Sequence, residues 1–368
     1  MAGITRQGDF AEKVSKFLRS KIDETLKIYG KDSGEYKALA LQYLKHESEG
    51  AEALEHNNRH WEADIKVETE GGEEILHGME RLYNKTIVVE PTLICASHCR
   101  YCLRGNYDIF TLNEEELQNI AVYCGTVGAE SNLNEILITG GDPLLVPKKL
   151  DCFIESIIEN APNIKIIRIA TRLLTHDPGR IGNNFYNILR KKENGLRFEI
   201  ATQINHAVEF FPETLRVIEH IRNLGVNIYS QNVLLKGVND NLEALVDLYN
   251  KMRIYDIDPH YLFHCVPMQG MHHFRTTVAK GLKLAKEMVN SGYMSGRSKP
   301  MYALMTDVGK VILYEDTILG KKNGYLELQT CYKYEERMKW NPSFNLPETA
   351  SVDEKGYIRI KYLDGVDD

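Results

Sequence analysis

Three cysteines, Cys95, Cys99 and Cys102, lie in the run PTLICASHCRYCLRGNYD with the spacing C-x-x-x-C-x-x-C. A short β-branched run, Thr86–Glu90, precedes them, so the thiols sit on a loop leaving a strand. Thiolates this close in sequence can wrap one corner of a small inorganic cluster but cannot saturate it. A [4Fe–4S] cube takes four ligands, and the remaining cysteines, Cys124, Cys152, Cys265 and Cys331, are scattered. One iron is then left open to an exogenous ligand. Two plainer readings compete: cysteines gathered by accident, and half of a zinc site. Seven cysteines in 368 residues make the first rare. Structural zinc usually draws on two short Cys/His clusters, and no second cluster stands out.

The rest of the composition narrows the class. An apolar content of 43% with 26% charged residues fits a globular protein with a sizeable core. The scattered cysteines do not form a disulfide framework, which points to a reducing cytoplasm. No apolar run reaches bilayer length, and the N-terminus MAGITRQGDFAEKVSKF has no apolar h-region, so neither membrane insertion nor secretion is expected. The net charge is −7 with no long basic stretch, which argues against a nucleic-acid partner.

Hydrophobic periodicity divides the chain. Residues 8–60 read as helices, with Phe10, Val14, Phe17 and Leu18 on one face and Tyr36, Leu39, Ala40, Tyr43 and Leu44 on another. Short β-branched runs then alternate with amphipathic helices, the pattern of βα units on a parallel sheet. The predicted strands are Thr86–Glu90, Glu135–Thr139, Ile164–Thr171, Arg197–Thr202, Val226–Leu234 and His260–Cys265. Three parts are expected: an N-terminal helical extension over 1–80, a barrel over 81–300 and a closing segment over 301–368. The chemically unusual residues follow the strands in register, as they would at the C-terminal mouth of a barrel. Cys95–Cys102 follow the first strand and Gly140-Gly141-Asp142 the second. Thr171-Arg172 end the third and Thr202-Gln203 the fourth, with Asn205-His206 beyond. Gln231 lies in the fifth, and Cys265 to Arg275 follow the sixth.

Taken together, CRYCLR, ITGGDPLLV, IATRL, QINHAVEFFPET, GVNIYSQNVLLKGVND and HHFRTTVAKGL resemble the lysine 2,3-aminomutases of the radical S-adenosylmethionine (SAM) superfamily. The resemblance covers roughly residues 82–320, with the order and spacing of several motifs in agreement. It implies an α/β fold, a partial TIM-type (β/α)6 barrel with a helical extension before it and a closing segment after it. It implies a [4Fe–4S] cluster on Cys95, Cys99 and Cys102, with SAM on the open iron. An electron donor such as flavodoxin or ferredoxin, and a homo-oligomer, come with it. The reaction implied is reductive cleavage of SAM to a 5′-deoxyadenosyl radical, which takes a hydrogen from a small-molecule substrate. Gly140, Gly141 and Asp142 match the SAM motif, Gln231 a SAM-supporting residue and Arg104 an arginine that pairs with the substrate carboxylate. Thr202 and Gln203 stand at the strand end that faces SAM, although the family usually has histidine where this chain has Gln203. Arg104, Arg172 and Tyr101 are the candidates for orienting a substrate.

The chain departs from the family where the amine is handled. The family's pyridoxal phosphate (PLP) lysine lies in a PGGGGK loop, and here Ser291–Tyr293 is followed only by MSGRSKP before Met301. A substrate-binding aspartate goes with that loop, and a second is replaced by Val266 in FHCVPMQGM. Lys299 and Lys310 remain, neither in a glycine-rich cradle. The expected activity is therefore hydrogen abstraction from a carboxylate-bearing, amino-acid-like substrate, with PLP not expected. The rival readings are a PLP-dependent 2,3-aminomutase with a rebuilt phosphate site, a non-catalytic iron–sulfur redox or sensing protein, and a modifier of a protein or RNA side chain.

Overall fold

A computed structural model describes residues 10–50, 64–69, 72–106 and 109–367. The part of the predicted N-terminal helices that falls on 51–60 lies outside them. Strands are numbered β1 Asp64–Thr69, β2 Gly72–Glu80, β3 Thr86–Thr92, β4 Glu135–Gly140, β5 Ile166–Ala170, β6 Arg197–Thr202, β7 Asn227–Leu234, β8 Ile257–His264, β9 Met301–Thr306 and β10 Gly309–Ile312. They form one sheet in that order. The pairs from β3 to β9 are parallel, and β1–β2, β2–β3 and β9–β10 are antiparallel.

The six strands read from the sequence are present as β3 to β8, each within three residues of its expected ends. Two features differ. Residues 64–69 and 72–80, expected within a helical extension, are the antiparallel strands β1 and β2. Met301–Thr306, at the expected start of the closing segment, is a seventh parallel strand beside β8.

Alternation along each strand builds the barrel. Ile136, Ile138, Ile167, Ile169, Phe198, Ile200 and Ile228 are buried in one core with Phe153, Ile154, Ile157, Ile218, Ile221 and Leu245 from the crossover helices. Period-2 side chains of the opposite face therefore point to the concave interior. These include Glu135, Leu137 and Thr139 of β4, Arg168 and Ala170 of β5, Glu199 of β6, and Tyr229 and Gln231 of β7, all only partly buried. The sheet curls far enough for its end to meet its beginning. The Lys310 amide on β10 donates to the Tyr83 hydroxyl, just ahead of β3, at 3.1 Å. The gap is closed by the C-terminal helix Tyr334–Trp340, where Arg337 donates to the Val308 carbonyl at 2.8 Å. The result is a partial TIM-type barrel.

Helices α1 (Lys16–Tyr29) and α2 (Gly34–Tyr43) begin on serine caps. Ser15 accepts from the Leu18 amide at 3.1 Å and Ser33 from the Tyr36 amide at 3.2 Å. Leu18, Ile22, Leu39 and Tyr43 pack with Phe211, so this pair leans on the loop that follows β6. A four-stranded antiparallel sheet, β11 Ile318–Lys322, β12 Tyr325–Lys333, β13 Ala350–Val352 and β14 Tyr357–Leu363, follows the barrel in the order β11-β12-β14-β13.

Candidate active site

The cysteine loop is held from two sides. On the barrel side, the Gly141 amide donates to the Thr92 carbonyl at 2.7 Å and the Asp142 amide to the Ile94 carbonyl at 2.8 Å. Gly140 has φ +99°, a conformation that favours glycine. A Cβ on Gly141 would stand 2.4 Å from the Ile94 carbonyl oxygen and 2.5 Å from the Leu93 carbonyl carbon. The two glycines thus let the start of the cysteine loop lie directly on the end of β4. The close approach read into this motif from the sequence is made, in the first instance, by the chain's own backbone.

On the other side are α1 and α2 with the residues before them. The His98 amide donates to the Lys13 carbonyl at 2.7 Å and the Arg100 amide to the Gln42 carbonyl at 2.9 Å. The Ser15 amide donates to Ser97 Oγ at 2.9 Å. Arg100 is fully buried, ion-paired with Glu49, and donates to the Phe10 carbonyl at 2.8 Å. The three cysteines are partly buried.

Asp142 is buried and surrounded by donors. It accepts from the amides of Leu144, Arg172 and Leu173 at 3.0–3.1 Å and from Thr171 Oγ1 at 2.8 Å. A carboxylate offers about four acceptor sites, so these bonds occupy it. Burial pushes its carboxyl up to about 6, against those donors. Its side chain ties the ends of β4 and β5 together.

Arg172, Tyr101 and Gln203 belong to one network, in which Tyr101 is buried and the other two are partly buried. Arg172 Nη1 donates to Cys99 Sγ at 2.9 Å and also to the Tyr101 hydroxyl. Nη2 donates to Glu209 Oε2 at 2.7 Å and to the Tyr43 hydroxyl at 2.6 Å, and Nε to the Gln203 carbonyl at 3.0 Å. Tyr101 is also bonded to Asn205 at 2.7 Å, Gln203 Oε1 at 3.1 Å and Gln42 at 3.2 Å. Burial opposes the Arg172 charge, but Cys99, Tyr101, Tyr43 and Glu209 together hold its pKa well up. Two of the three candidates for orienting a substrate, Arg172 and Tyr101, are therefore bonded to protein partners. Glu209, Tyr43 and Gln42 escaped the sequence reading. Tyr43 looked like an apolar-face residue, and nothing local links α2 to the QINHAVEFFPET segment. His176 completes the surround, its Nε2 3.8 Å from Cys99 Sγ, with burial holding its pKa well down.

The other candidates lie nearby. Thr202 Oγ1 donates to the Thr171 carbonyl at 3.0 Å. Gln231 points into the barrel from β7, opposite Tyr261 across the β7–β8 pair. Arg104 is ion-paired with Glu90 and lies 3.8 Å from Glu80, so it already carries two carboxylates. Val266, Met268 and Met271 are buried with Tyr101 and Phe274, against Cys99 and Met305, as an apolar wall. His264 does not join His272 and His273. It bonds Tyr302 at 2.7 Å, and the rings of His272 and His273 stand at 78° to each other.

Inside the barrel lies a charged layer. Arg168 is ion-paired with Glu135 and faces Glu199 across the β5–β6 pair. Lys310 Nζ stands 5.1 Å from the Tyr83 ring centroid and 5.2 Å from that of Tyr261. It has no ion pair among the described residues. Burial and the nearby Arg168 charge bring its pKa down to about 8.

The thiols fit an iron–sulfur corner better than a single-ion site. They feel one another: burial raises the Cys95 pKa well above normal, and Cys102, Asp142 and Cys99 add to it. Yet among the described residues no three His, Cys, Asp or Glu side chains converge closely enough for one metal ion. Three thiolates around a multi-iron cluster stand further apart than the ligands of one ion.

Residues 89–249 match the radical SAM superfamily. The chain is 31% identical over 284 residues to the L-lysine 2,3-aminomutase of Buchnera aphidicola subsp. Baizongia pistaciae, covering 77% of this chain and 81% of that protein. It is 28% identical over 272 residues to the glutamate 2,3-aminomutase of Clostridioides difficile, covering 72% and 62%. Among solved structures, a radical SAM methyltransferase from Sphaerobacter thermophilus covers 67% of this chain and 77% of that one at 16% identity, with a TM-score of 0.49. The protein is thus a radical SAM enzyme, a class that implies a [4Fe–4S] cluster and SAM. Within it, the chain belongs to the lysine 2,3-aminomutase-like family. No helix of the described residues is long and apolar enough to cross a membrane.

Proposed function

We propose that Cys95, Cys99 and Cys102 hold the [4Fe–4S] cluster, and that the enzyme abstracts hydrogen from a small, carboxylate-bearing, amino-acid-like substrate without PLP. The observation that carries this reading is the cysteine loop itself, with three partly buried cysteines on a backbone clamped between Gly140-Gly141 and the α1–α2 segment. When bound, the cluster and SAM supply one-electron cleavage and a 5′-deoxyadenosyl radical for that abstraction. The protein's part is to hold the thiols in place, exclude solvent and orient the substrate. The apolar wall of Val266, Met268 and Met271 provides exclusion beside Cys99.

The substrate class rests on charge. Two cations are candidates to meet a carboxylate. Arg104 already serves Glu90 and Glu80, whereas Lys310 stands against two aromatic rings and makes no ion pair among the described residues. Lys310 is the better receiver, with a substrate extending into the barrel toward it. A lysine side-chain ammonium placed beside Val266 would have no carboxylate there, and burying it unpaired costs several kcal/mol. The names of the relatives, one for lysine and one for glutamate, agree with a substrate site that varies while the radical machinery persists. A cytoplasmic setting with a flavodoxin- or ferredoxin-type donor completes the proposal.

The test is anaerobic reconstitution of the full chain with iron and sulfide, then incubation with SAM and dithionite. The expected results are 5′-deoxyadenosine, no aldimine absorbance, and no β-lysine from lysine with added PLP. Iron binding without SAM cleavage would favour the redox or sensing protein. Borohydride-trapped PLP on Lys310, or on the exposed Lys299, would restore the PLP-dependent aminomutase.

A further inference from the structure

We infer that Arg172 tunes the reduction potential of the cluster through Cys99, and that the N-terminal helix α2 and Glu209 hold it in place to do so. The inference rests on the proposed function only in taking Cys99 as a cluster ligand.

The geometry is specific. Arg172 Nη1 donates to Cys99 Sγ at 2.9 Å, which is short for an N–H···S contact. Each other nitrogen of the guanidinium is spoken for. Nε donates to the Gln203 carbonyl at 3.0 Å, and Nη2 is shared between Glu209 at 2.7 Å and the Tyr43 hydroxyl at 2.6 Å. Glu209 is fully buried and is itself fixed by the amides of Asn205 and His206 at 2.8 and 3.0 Å, and by Gln42 and Tyr43 at 3.2 and 2.8 Å. Such a surround leaves the planar fork one orientation, with Nη1 on the sulfur. Gln42 and Tyr43 come from α2, outside the segment matched to the superfamily.

Reduction adds one negative charge to a cluster, and part of it resides on the cysteine sulfurs. A cationic donor aimed at one of them favours the reduced form, and hydrogen bonds to sulfur are among the determinants of cluster potential. Glu209 opposes this by partly neutralising Arg172 from behind. The pair therefore works as an adjustable charge: the arginine raises the potential, and the glutamate restrains it. A purely structural network would show no such opposition of sign. Arg172 and Glu209 are positioning residues in this account, acting through Cys99.

The test is an EPR-monitored redox titration of the reconstituted full-length protein, with iron content measured alongside. Wild type is compared with R172K, E209Q and the double variant R172Q/E209Q. The double variant keeps a neutral hydrogen-bonded pair, and its reduction constant should fall about tenfold, which for one electron is about 59 mV more negative. R172K retains the pair with Glu209 but is too short to keep its donor on Cys99, so its potential should fall by less. E209Q, which frees the arginine charge, should move it the other way. Unchanged potentials at full iron content would overturn the inference and leave Arg172 as a tie between α2 and the barrel. So would shifts of the same sign in R172K and E209Q. If the double variant holds no iron, that opposed pair of single variants decides. Wild type that binds no cluster would instead defeat the underlying assignment of Cys99.

Discussion

The mouth of the barrel and its interior handle charge in opposite ways. At the mouth, Asp142, Glu209 and Arg100 are buried and Arg172 is partly buried, and all four are bonded to protein partners on nearly every polar atom. In the interior, Arg168 is paired with Glu135, while Lys310 and Glu199 make no ion pair among the described residues. A saturated network is rigid and leaves little for a ligand to take, which suits the task of fixing a cysteine loop. Unpaired charge in a partly buried interior is destabilising unless something arrives to meet it. The contrast separates the shared radical machinery from the part of the site that selects a substrate. Tyr101 and Arg172, offered from the sequence as substrate-orienting residues, sit on the saturated side of this contrast, with their polar atoms engaged by the protein.

The largest effect expected from disturbing either region is at the thiols. Replacing Cys95, Cys99 and Cys102 together by alanine should lower retained iron from about four per chain to almost none and abolish 5′-deoxyadenosine formation. Far-UV circular dichroism and the unfolding midpoint should barely move, because the thiols are partly exposed and lie outside the main core. Iron that survives in the triple variant would break the distinction between a cluster-bearing mouth and a substrate-bearing interior.

Next in size is Glu209→Ala. It removes the acceptor for Arg172, Tyr43, Gln42 and two backbone amides at once. Breaking a buried ion pair by deleting one partner typically costs about 3–5 kcal/mol, and urea denaturation should show a loss of that order. A loss below about 1 kcal/mol would mean that the mouth is not the rigid region, and the comparison would need redrawing.

The sequence carried the barrel well because period-2 strands and amphipathic helices announce themselves locally. Six parallel strands fall within three residues of expectation. The β1–β2 pair escaped because its strands follow a long helical pattern and carry Glu, Lys and Gly residues that do not read as strand. Met301–Thr306 was placed in the closing segment because its role as the parallel neighbour of β8 is a matter of long-range pairing. At the site, residue types and spacing picked out the cysteine loop, the glycines, Asp142 and Arg172. They could not say whether Asp142 faces a ligand or the amides of Leu144, Arg172 and Leu173. Glu209 lay unremarked within a quoted motif because its partners Gln42 and Tyr43 are 166–167 residues away.

The smallest expected effect on stability, and the sharpest test of the interior, comes from Lys310→Met. Lys310 has a folded pKa of about 8, brought down by burial and by Arg168, against about 10.4 in an unfolded chain. Below pH 8 the side chain is protonated in both states, and the penalty for burying its charge is present in full. Between about pH 8 and 10.4 the unfolded chain binds the extra proton, so wild-type stability contributed by this site rises with pH. Lys310→Met should therefore stabilise the protein at pH 7 by roughly 1–3 kcal/mol, an advantage that shrinks above pH 8 and disappears above about pH 10.4. Urea titrations of both proteins at pH 7, 9 and 11 would show it. The cluster lies elsewhere, so uncoupled cleavage of SAM to 5′-deoxyadenosine should be unchanged. A variant that is more stable yet still cleaves SAM, and fails only when the substrate is supplied, is what an interior charge reserved for a ligand predicts. A variant that is less stable at pH 7 would show that Lys310 is held by the protein itself, and the interior would then be as self-contained as the mouth.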